Sequence, residues 1–140
     1  MKVACPSCST HNRLPAARLQ ERARCAACKV PLLPVTKPIA VTSTEDFEEL
    51  VRDSKAPVLV DFWASWCGPC RIVAPELEKL ASQRSGSAVI AKVDTDAQPE
   101  LSARFGIRSI PTLVLFRNGR EAKRIAGAMS ASAIAAQLGL

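Results

Sequence analysis

The sequence DFWASWCGPC, residues 61–70, contains the turn on which the rest of the fold depends. It overlaps the end of PVLVDFWA (57–64), an apolar run whose length suits a central strand buried on both faces. The residues after it have helical spacing and predict a helix over 70–83, which Pro75 should kink. The apolar positions of that helix are Ile72, Val73, Leu77 and Leu80. A strand, a short turn and a helix therefore place Cys67 at or near the start of the helix.

The position of Cys67 predicts redox chemistry. A helix N-terminus presents unpaired N–H groups and a positive dipole end, and both favour the thiolate form of a cysteine. Cys70 lies one helical turn further on, close enough to form a disulfide with Cys67. We predict that Cys67 attacks a substrate disulfide, and that Cys70, the more buried thiol, resolves the mixed disulfide. Pro69 stiffens the first helical turn.

Asp61 is a carboxylic acid within an apolar strand, where a charge is costly to bury. Such an Asp can simply be a satisfied residue at a strand end. Because it lies just upstream of the two cysteines, we predict a raised pKa and proton exchange with Cys70. Lys92, on a neighbouring predicted strand, is its expected charged partner, although a solvated lysine at a strand end fits the sequence nearly as well.

The rest of the chain from residue 39 alternates strands and helices. This order predicts an α/β fold with a mixed sheet and helices on both faces. Asn118-Gly119 is a strong hairpin signal, and Ser43 or Thr44, Asp96 and Ser130 are candidate helix caps. The predicted strands lie at 39–41, 57–64, 88–94 and in the hairpin 112–127, and the predicted helices at 43–53, 70–83, 95–106 and 130–140.

Residues 39–140 resemble the thioredoxin family over their whole length. The resemblance rests on VLVDFWASWCGPCR, KVDTD, FGIRSIPTLVLFRNG and GAMS, in that order and spacing. It implies a thioredoxin fold, with a five-stranded mixed sheet and four helices. It also implies a protein-disulfide reductase that receives electrons from a thioredoxin-reductase-type flavoenzyme.

The resemblance also implies roles for individual residues. Asp61 becomes the buried acid, and Pro111 is expected to be cis and to face the dithiol. The Ile110 backbone is expected to bond a substrate strand, and Gly68-Pro69 is the dipeptide of the reducing members. Arg71 stands where lysine is usual in the family. The implied substrate groove consists of Trp66, Gly68, Pro69, Ile110, Pro111, Gly127 and Ala128.

The N-terminal segment holds the other four cysteines in the pattern C-x2-C-x16-C-x2-C. This spacing is typical of a four-cysteine zinc site, in which each pair forms one knuckle of a tetrahedron. Residues 1–35 are also too few to build a sufficient core alone, so a metal or covalent link should hold them. Two short redox dithiols or a disulfide framework remain as alternatives. The predicted ligands of one structural Zn²⁺ are Cys5, Cys8, Cys25 and Cys28.

The combined chain resembles the zinc-containing thioredoxin-2 subfamily of bacteria through CPSC, NRLPAARL and CAAC. It departs from many zinc ribbons because Ser9 and Lys29 follow the second cysteine of each knuckle, where glycine is frequent. His11 is expected on the surface rather than as a ligand. We expect a zinc module at 1–35, a linker at 36–38 within the proline-rich segment 30–38, and a thioredoxin domain at 39–140.

Charge and composition narrow the function classes. The net charge is +6, and residues 1–40 carry seven basic residues and one acid, whereas the remainder is neutral. A basic zinc module could indicate a nucleic-acid or protein adaptor, but the module has no Phe, Trp or Tyr on which bases could stack. An exported oxidase or isomerase is a third class. The start of the chain lacks a signal-like apolar region, and no apolar run is long enough to span a membrane, so we expect a cytoplasmic protein.

Overall fold

The computed structural model describes residues 1–140, which form nine β-strands, four α-helices and one short 3-10 turn. In chain order the strands are β1 (Lys2–Ala4), β2 (His11–Arg13), β3 (Ala23–Arg24), β4 (Pro31–Leu33), β5 (Ile39–Ala40), β6 (Val58–Trp63), β7 (Val89–Asp94), β8 (Thr112–Arg117) and β9 (Arg120–Ala126). The helices are α1 (Thr44–Asp53), α2 (Gly68–Gln83), α3 (Pro99–Arg104) and α4 (Ala131–Leu138), and the 3-10 turn spans Ala16–Arg18. No helix is both long enough and apolar enough to cross a lipid bilayer.

Five strands form the predicted mixed sheet, in the order β5-β7-β6-β8-β9. β5, β7 and β6 run parallel, while β8 and β9 are antiparallel to their neighbours. Val58, Val60 and Phe62 of β6 pack into the core cluster that includes α1 and α3, whereas Leu59 packs with α2 and α4. Because side chains alternate along a strand, Asp61 lies on the same face as Leu59, the face covered by α2.

The local signals in the sequence set most element ends. The Ser43 hydroxyl accepts from the Asp46 N–H at 3.1 Å and caps α1, and the Ser130 hydroxyl caps α4 in the same way. Asn118 and Gly119 both have positive φ, at 53° and 78°, as the two-residue β8–β9 turn requires. These caps and this hairpin are confirmed.

The helix predicted over 95–106 is present but shorter, and the prediction that Asp96 caps it is wrong. α3 begins only at Pro99, and its N-terminal boundary residue is Gln98, whose side chain makes no capping bond. Residues 95–97 instead form a turn in which the Asp94 carboxylate accepts from the Asp96 and Ala97 N–H groups. Proline disfavours helical geometry in the residue before it, which explains why the helix starts at Pro99.

The proline-rich segment 30–38 is not a linker along its whole length. Pro31–Leu33 form strand β4, which pairs with β3, and Leu32, Leu33 and Val35 are buried. Only residues 34–38 lack regular structure between β4 and β5.

The N-terminal module packs directly against the rest of the chain. Its buried side chains, including Val3, Leu19 and Leu33, belong to the same core cluster as Phe47 and Leu50 of α1. Two carboxylates of α1 face the module. Asp46 accepts from the Lys2 N–H at 3.0 Å, and Glu49 accepts from the Ala16 N–H at 2.8 Å. The module therefore shares a core with α1 and is not joined to it by a flexible linker alone.

Candidate functional site

The turn at residues 64–67 brings both thiols of the dithiol together at the start of α2. Cys67 is the N-cap residue of that helix, and Cys70 lies in its first turn. The two sulfurs form a disulfide with a Cα–Cα distance of 5.3 Å. The Cys70 N–H, which has no backbone acceptor in the first turn of the helix, donates to the Cys67 sulfur at 3.1 Å. When the disulfide is reduced, this donor and the helix dipole favour a thiolate on Cys67.

The two cysteines do not differ in exposure, contrary to the expectation that Cys70 is more buried. Both residues are 4% exposed in this disulfide-bonded state. The asymmetry lies in their positions, because Cys67 occupies the helix N-cap whereas Cys70 is on the buried face of α2 with Val73 and Leu77.

The loop that precedes β8, at Ile110-Pro111, faces the dithiol. The Ile110–Pro111 peptide bond is cis, as the resemblance implies, and the Cys67 sulfur lies 3.6 Å from the carbonyl oxygen of Ile110. Gly127 donates its N–H to the Pro111 carbonyl at 2.9 Å. The φ of Gly127 is 94°, a conformation that side-chain-bearing residues rarely adopt. The dithiol, the Ile110-Pro111 turn and Gly127 thus form one continuous rim.

Two large apolar side chains at this end of the molecule point into solvent. Trp66 is 67% exposed and Ile72 is 66% exposed, and no other large hydrophobic side chain is exposed. The Trp66 indole N–H donates to the Asp96 carboxylate at 2.9 Å, which holds the ring beside the dithiol. Ile72 does not join the buried face of α2 as the helical spacing predicted. The buried positions 70, 73, 77 and 80 already account for that face, and this spacing could have identified Ile72 as exposed.

Asp61 is buried and has no hydrogen-bond partner. It is 1% exposed, and neither carboxyl oxygen is hydrogen-bonded. Burial raises the pKa of Asp61 to about 7, and the nearby charge of Lys92 acts in the opposite direction without cancelling this effect. A carboxyl group on the α2 side of the sheet can therefore exchange a proton near neutral pH.

Lys92 is the charged neighbour of Asp61, as expected, but makes no hydrogen bond with it. The two residues are directly opposite each other in the β6–β7 register, but the Lys92 ammonium lies over the Trp63 ring, 4.4 Å from its centre. This cation–π contact explains the position of the ammonium group. Lys92 influences Asp61 through charge alone, and Trp63 provides the surface on which Lys92 rests.

Asp61→Asn should stabilise the oxidised chain, by an amount that depends on pH. Below about pH 4 the carboxyl is neutral in the folded and unfolded chain, and the substitution should change little. As pH rises toward 7, Asp61 ionises first in the unfolded chain, so unfolding of the parent becomes easier; asparagine stays neutral. The gain should therefore grow between pH 4 and 7 and level off above pH 7 at roughly 4 kcal/mol. Urea unfolding at pH 4, 6 and 8 measures it, and a pH-independent difference would contradict the raised pKa.

The four remaining cysteines converge on one point in the N-terminal module. Their sulfur atoms all lie within 4.8 Å of one another, and the Cys5–Cys28 and Cys8–Cys25 sulfurs are 3.6 Å apart. Four thiolates around Zn²⁺ at about 2.3 Å place neighbouring sulfurs about 3.8 Å apart, so this arrangement fits one tetrahedral ion. His11 is exposed on β2 and lies outside the cluster.

The two knuckles have the same backbone geometry. Cys5 accepts from the Ser9 N–H and Cys25 from the Lys29 N–H, each through its carbonyl oxygen at 3.0 Å. Ser9 and Lys29 have φ values of 64° and 67°, the left-handed conformation for which glycine is preferred. The module thus adopts the usual knuckle turn without glycine. At Cys25, hydrogen bonds from the backbone N–H of Cys28 and then from the Asn12 amide lower the pKa to about 6, which favours the thiolate that a metal requires.

Comparison with known proteins decides which family has this combination of fold and dithiol. A family model described as Thioredoxin matches residues 38–139. The chain belongs to the thioredoxin family. A second model, described as Thioredoxin 2, N-terminal, matches residues 4–30 as a zinc ribbon. The four-cysteine cluster lies within this zinc ribbon and could bind one metal ion.

Several individual thioredoxins are similar to this chain. Thioredoxin C-3 of Corynebacterium nephridii is 43% identical over 129 residues, which cover 92% of this chain and 87% of that protein. The thioredoxin of Mycobacterium tuberculosis is 50% identical over 88 residues, 63% of this chain and 76% of its own length. A solved thioredoxin variant from Halobacterium salinarum superimposes with a TM-score of 0.67 at 34% identity, covering 73% of this chain and 88% of that one. The chain is a protein-disulfide reductase of thioredoxin type.

Proposed function

We propose that this thioredoxin reduces protein disulfides through a mixed disulfide, with Cys67 as the attacking thiol and Cys70 as the resolving thiol. The observation that carries this assignment is the helix N-cap position of Cys67, where the Cys70 N–H donates to its sulfur at 3.1 Å. No hydrogen-bond donor points at the Cys70 sulfur in the same way, and Cys70 lies within the first turn of α2, on its buried face.

The reaction transfers two electrons in two thiol exchanges. The Cys67 thiolate attacks one sulfur of the substrate disulfide, which breaks the substrate S–S bond, forms a Cys67–substrate disulfide and releases the first substrate thiolate. Cys70 then loses its proton and attacks the Cys67 sulfur. This step forms the Cys67–Cys70 disulfide and releases the second substrate thiolate. The products are the oxidised thioredoxin and a substrate reduced by two electrons.

Asp61 is the proposed acceptor of the Cys70 proton. Both groups lie on the same side of the sheet, because Asp61 shares a face with Leu59 and Cys70 shares the buried face of α2 with Val73 and Leu77. A carboxyl whose pKa is about 7 can take up a proton from a thiol and return it to solvent at neutral pH. Asp61→Asn should therefore slow the resolving step while leaving the first attack by Cys67 intact.

The proposed substrate surface is the rim around the dithiol. It combines exposed apolar area at Trp66, the Gly68-Pro69 turn and the backbone of Ile110-Pro111 and Gly127. An extended substrate segment that bonds to the Ile110 backbone would have its disulfide next to the Cys67 sulfur, 3.6 Å from the Ile110 carbonyl oxygen. Trp66 and Ile72 supply the exposed apolar contact area for neighbouring substrate side chains.

The electrons are proposed to come from a thioredoxin-reductase-type flavoenzyme. One relative, the bifunctional thioredoxin reductase/thioredoxin of Mycobacterium leprae, is 47% identical over 96 residues, which are 69% of this chain and 21% of that protein. The name of that fused protein supports a partnership between the two activities. A reducing compartment, the cytoplasm, is the proposed location, because the four N-terminal cysteines are unpaired and arranged as metal ligands.

The zinc ribbon is proposed to be a structural module at residues 1–35, followed by a short connection at 36–38 and the thioredoxin domain at 39–140. One Zn²⁺ would be held by Cys5, Cys8, Cys25 and Cys28. It would cross-link the two knuckles and would take no part in the redox reaction. Basic side chains of the module, including Arg24 and Lys29, offset the net charge of −2 that four thiolates and one Zn²⁺ produce.

The proposed function is tested by reduction of insulin disulfides. The chain should accelerate insulin reduction by dithiothreitol, and should also do so with NADPH and a thioredoxin reductase as the electron source. Acceleration with dithiothreitol alone would support the disulfide exchange and contradict the proposed electron donor. No acceleration with either source would contradict the proposed reaction itself.

A further inference from the structure

Asn12 is the one side chain other than the cysteines that connects the two knuckles. It lies in β2, where its backbone pairs with Val3, and its side chain is 7% exposed and faces the four-cysteine cluster. The amide nitrogen donates to the Thr10 carbonyl of the first knuckle at 3.1 Å. The amide oxygen accepts from the Ala26 N–H of the second knuckle at 2.9 Å. A single buried amide thus bonds to both halves of the site.

The same amide also contacts a metal ligand. Its nitrogen lies 3.5 Å from the sulfur of Cys25, the ligand that is fully buried. Both N–H bonds of the amide are therefore used, one on each knuckle, and its oxygen is used as well. An N–H donor next to a metal-bound thiolate disperses part of the negative charge on sulfur and fixes its direction.

We propose that Asn12 is a positioning residue of the four-cysteine centre, and that it slows metal loss by joining the two knuckles and by donating to Cys25. This inference rests on the proposed zinc binding. The metal can leave only when ligands detach, and separation of the knuckles must first break the bonds that Asn12 makes across them, to the Ala26 N–H and to the Cys25 sulfur. An aspartate at this position would keep the acceptor for Ala26 but would lose both donors and add a negative charge beside the thiolates.

The test uses the full chain loaded with zinc and an excess of the chromogenic chelator 4-(2-pyridylazo)resorcinol to follow metal release. Asn12→Leu removes every side-chain bond, and Asn12→Asp removes only the donors while keeping the size of the side chain. Metal affinity should fall by about 10–100-fold in both, as is usual for residues that bond to metal ligands, with correspondingly faster release. His11→Leu is the matched control, because His11 is the neighbouring residue of the same strand and is exposed. Its release rate should equal that of the parent.

A second readout separates positioning from loss of a ligand. The Co²⁺-substituted Asn12 variants should keep the sulfur-to-cobalt absorption bands of a four-thiolate site, because the ligands themselves are unchanged. Parent-like release from Asn12→Asp would overturn the donor role even if Asn12→Leu failed to fold. Loss of the four-thiolate spectrum in Asn12→Asp would show that Asn12 is needed to form the site and would overturn the kinetic role. A parent chain that contains no metal would refute the zinc centre itself, before any variant is compared.

Discussion

Cys67→Ser should abolish turnover of protein disulfides, whereas Cys70→Ser should attack a substrate once and then stop. The physical reason is that only Cys67 lies at the N-cap of α2, where the Cys70 N–H and the helix dipole stabilise a thiolate. Serine at position 67 removes the nucleophile. Serine at position 70 leaves the nucleophile but removes the thiol that would resolve the Cys67–substrate disulfide.

The measurement is mass spectrometry under non-reducing conditions after incubation with a disulfide-bonded protein, together with the insulin assay. Cys70→Ser should accumulate a covalent one-to-one adduct with the substrate, which dithiothreitol cleaves by reduction. Cys67→Ser should form no such adduct. Ser65→Ala is the control, because Ser65 is exposed in the same turn and should retain turnover. An adduct that forms with Cys67→Ser, and not with Cys70→Ser, would show that the two roles are reversed.

Cys25→Ser should release the metal and unfold the N-terminal module without destroying the reductase site. Structural zinc supplies about 10–16 kcal/mol of apparent free energy in small modules, far more than the core of a 35-residue segment can replace. The dithiol, the Ile110-Pro111 turn and the complete five-stranded sheet all lie within residues 39–140. These residues should therefore keep reducing insulin when the module unfolds.

The shared core adds a further consequence for stability. Val3, Leu19 and Leu33 pack in the same cluster as Phe47 and Leu50 of α1, so unfolding of the module exposes apolar surface on α1 as well. We expect Cys25→Ser to lower the denaturant midpoint of the remaining domain, while its activity at low denaturant persists. Ala26→Ser is the matched control, because it introduces serine at the next, exposed position of the same knuckle and should keep the metal.

Three measurements test this prediction: metal content by inductively coupled plasma mass spectrometry, insulin reduction and urea unfolding. A truncated chain that begins at Pro38 is compared with Cys25→Ser in the same assays. If both variants keep a folded thioredoxin domain but lose reductase activity, the N-terminal cysteines take part in electron transfer. Cys25 and Cys28 would then have the same kind of role as Cys67 and Cys70, against our assignment.

The sequence by itself determined the features that follow local rules. These features are the caps Ser43 and Ser130, the Asn118-Gly119 turn and the Cys-x-x-Cys pairs. Each depends on residues no more than a few positions apart, so its residue types are visible in the sequence. The mixed sheet also followed from the order of elements, because parallel neighbours require helical crossovers. Fold class and the location of the dithiol were therefore predictable before any contact was known.

Only the tertiary structure decided the features that depend on packing between distant segments. Lys92 lies over Trp63 instead of pairing with Asp61, and the proline-rich residues 31–33 form a strand that helps to bury the module against α1. Asn12 lies within bonding distance of Cys25, thirteen positions further along the chain, only because the two knuckles meet at the four-cysteine cluster. No spacing in the sequence encodes these contacts, because each results from the relative positions of elements that the shared core brings together.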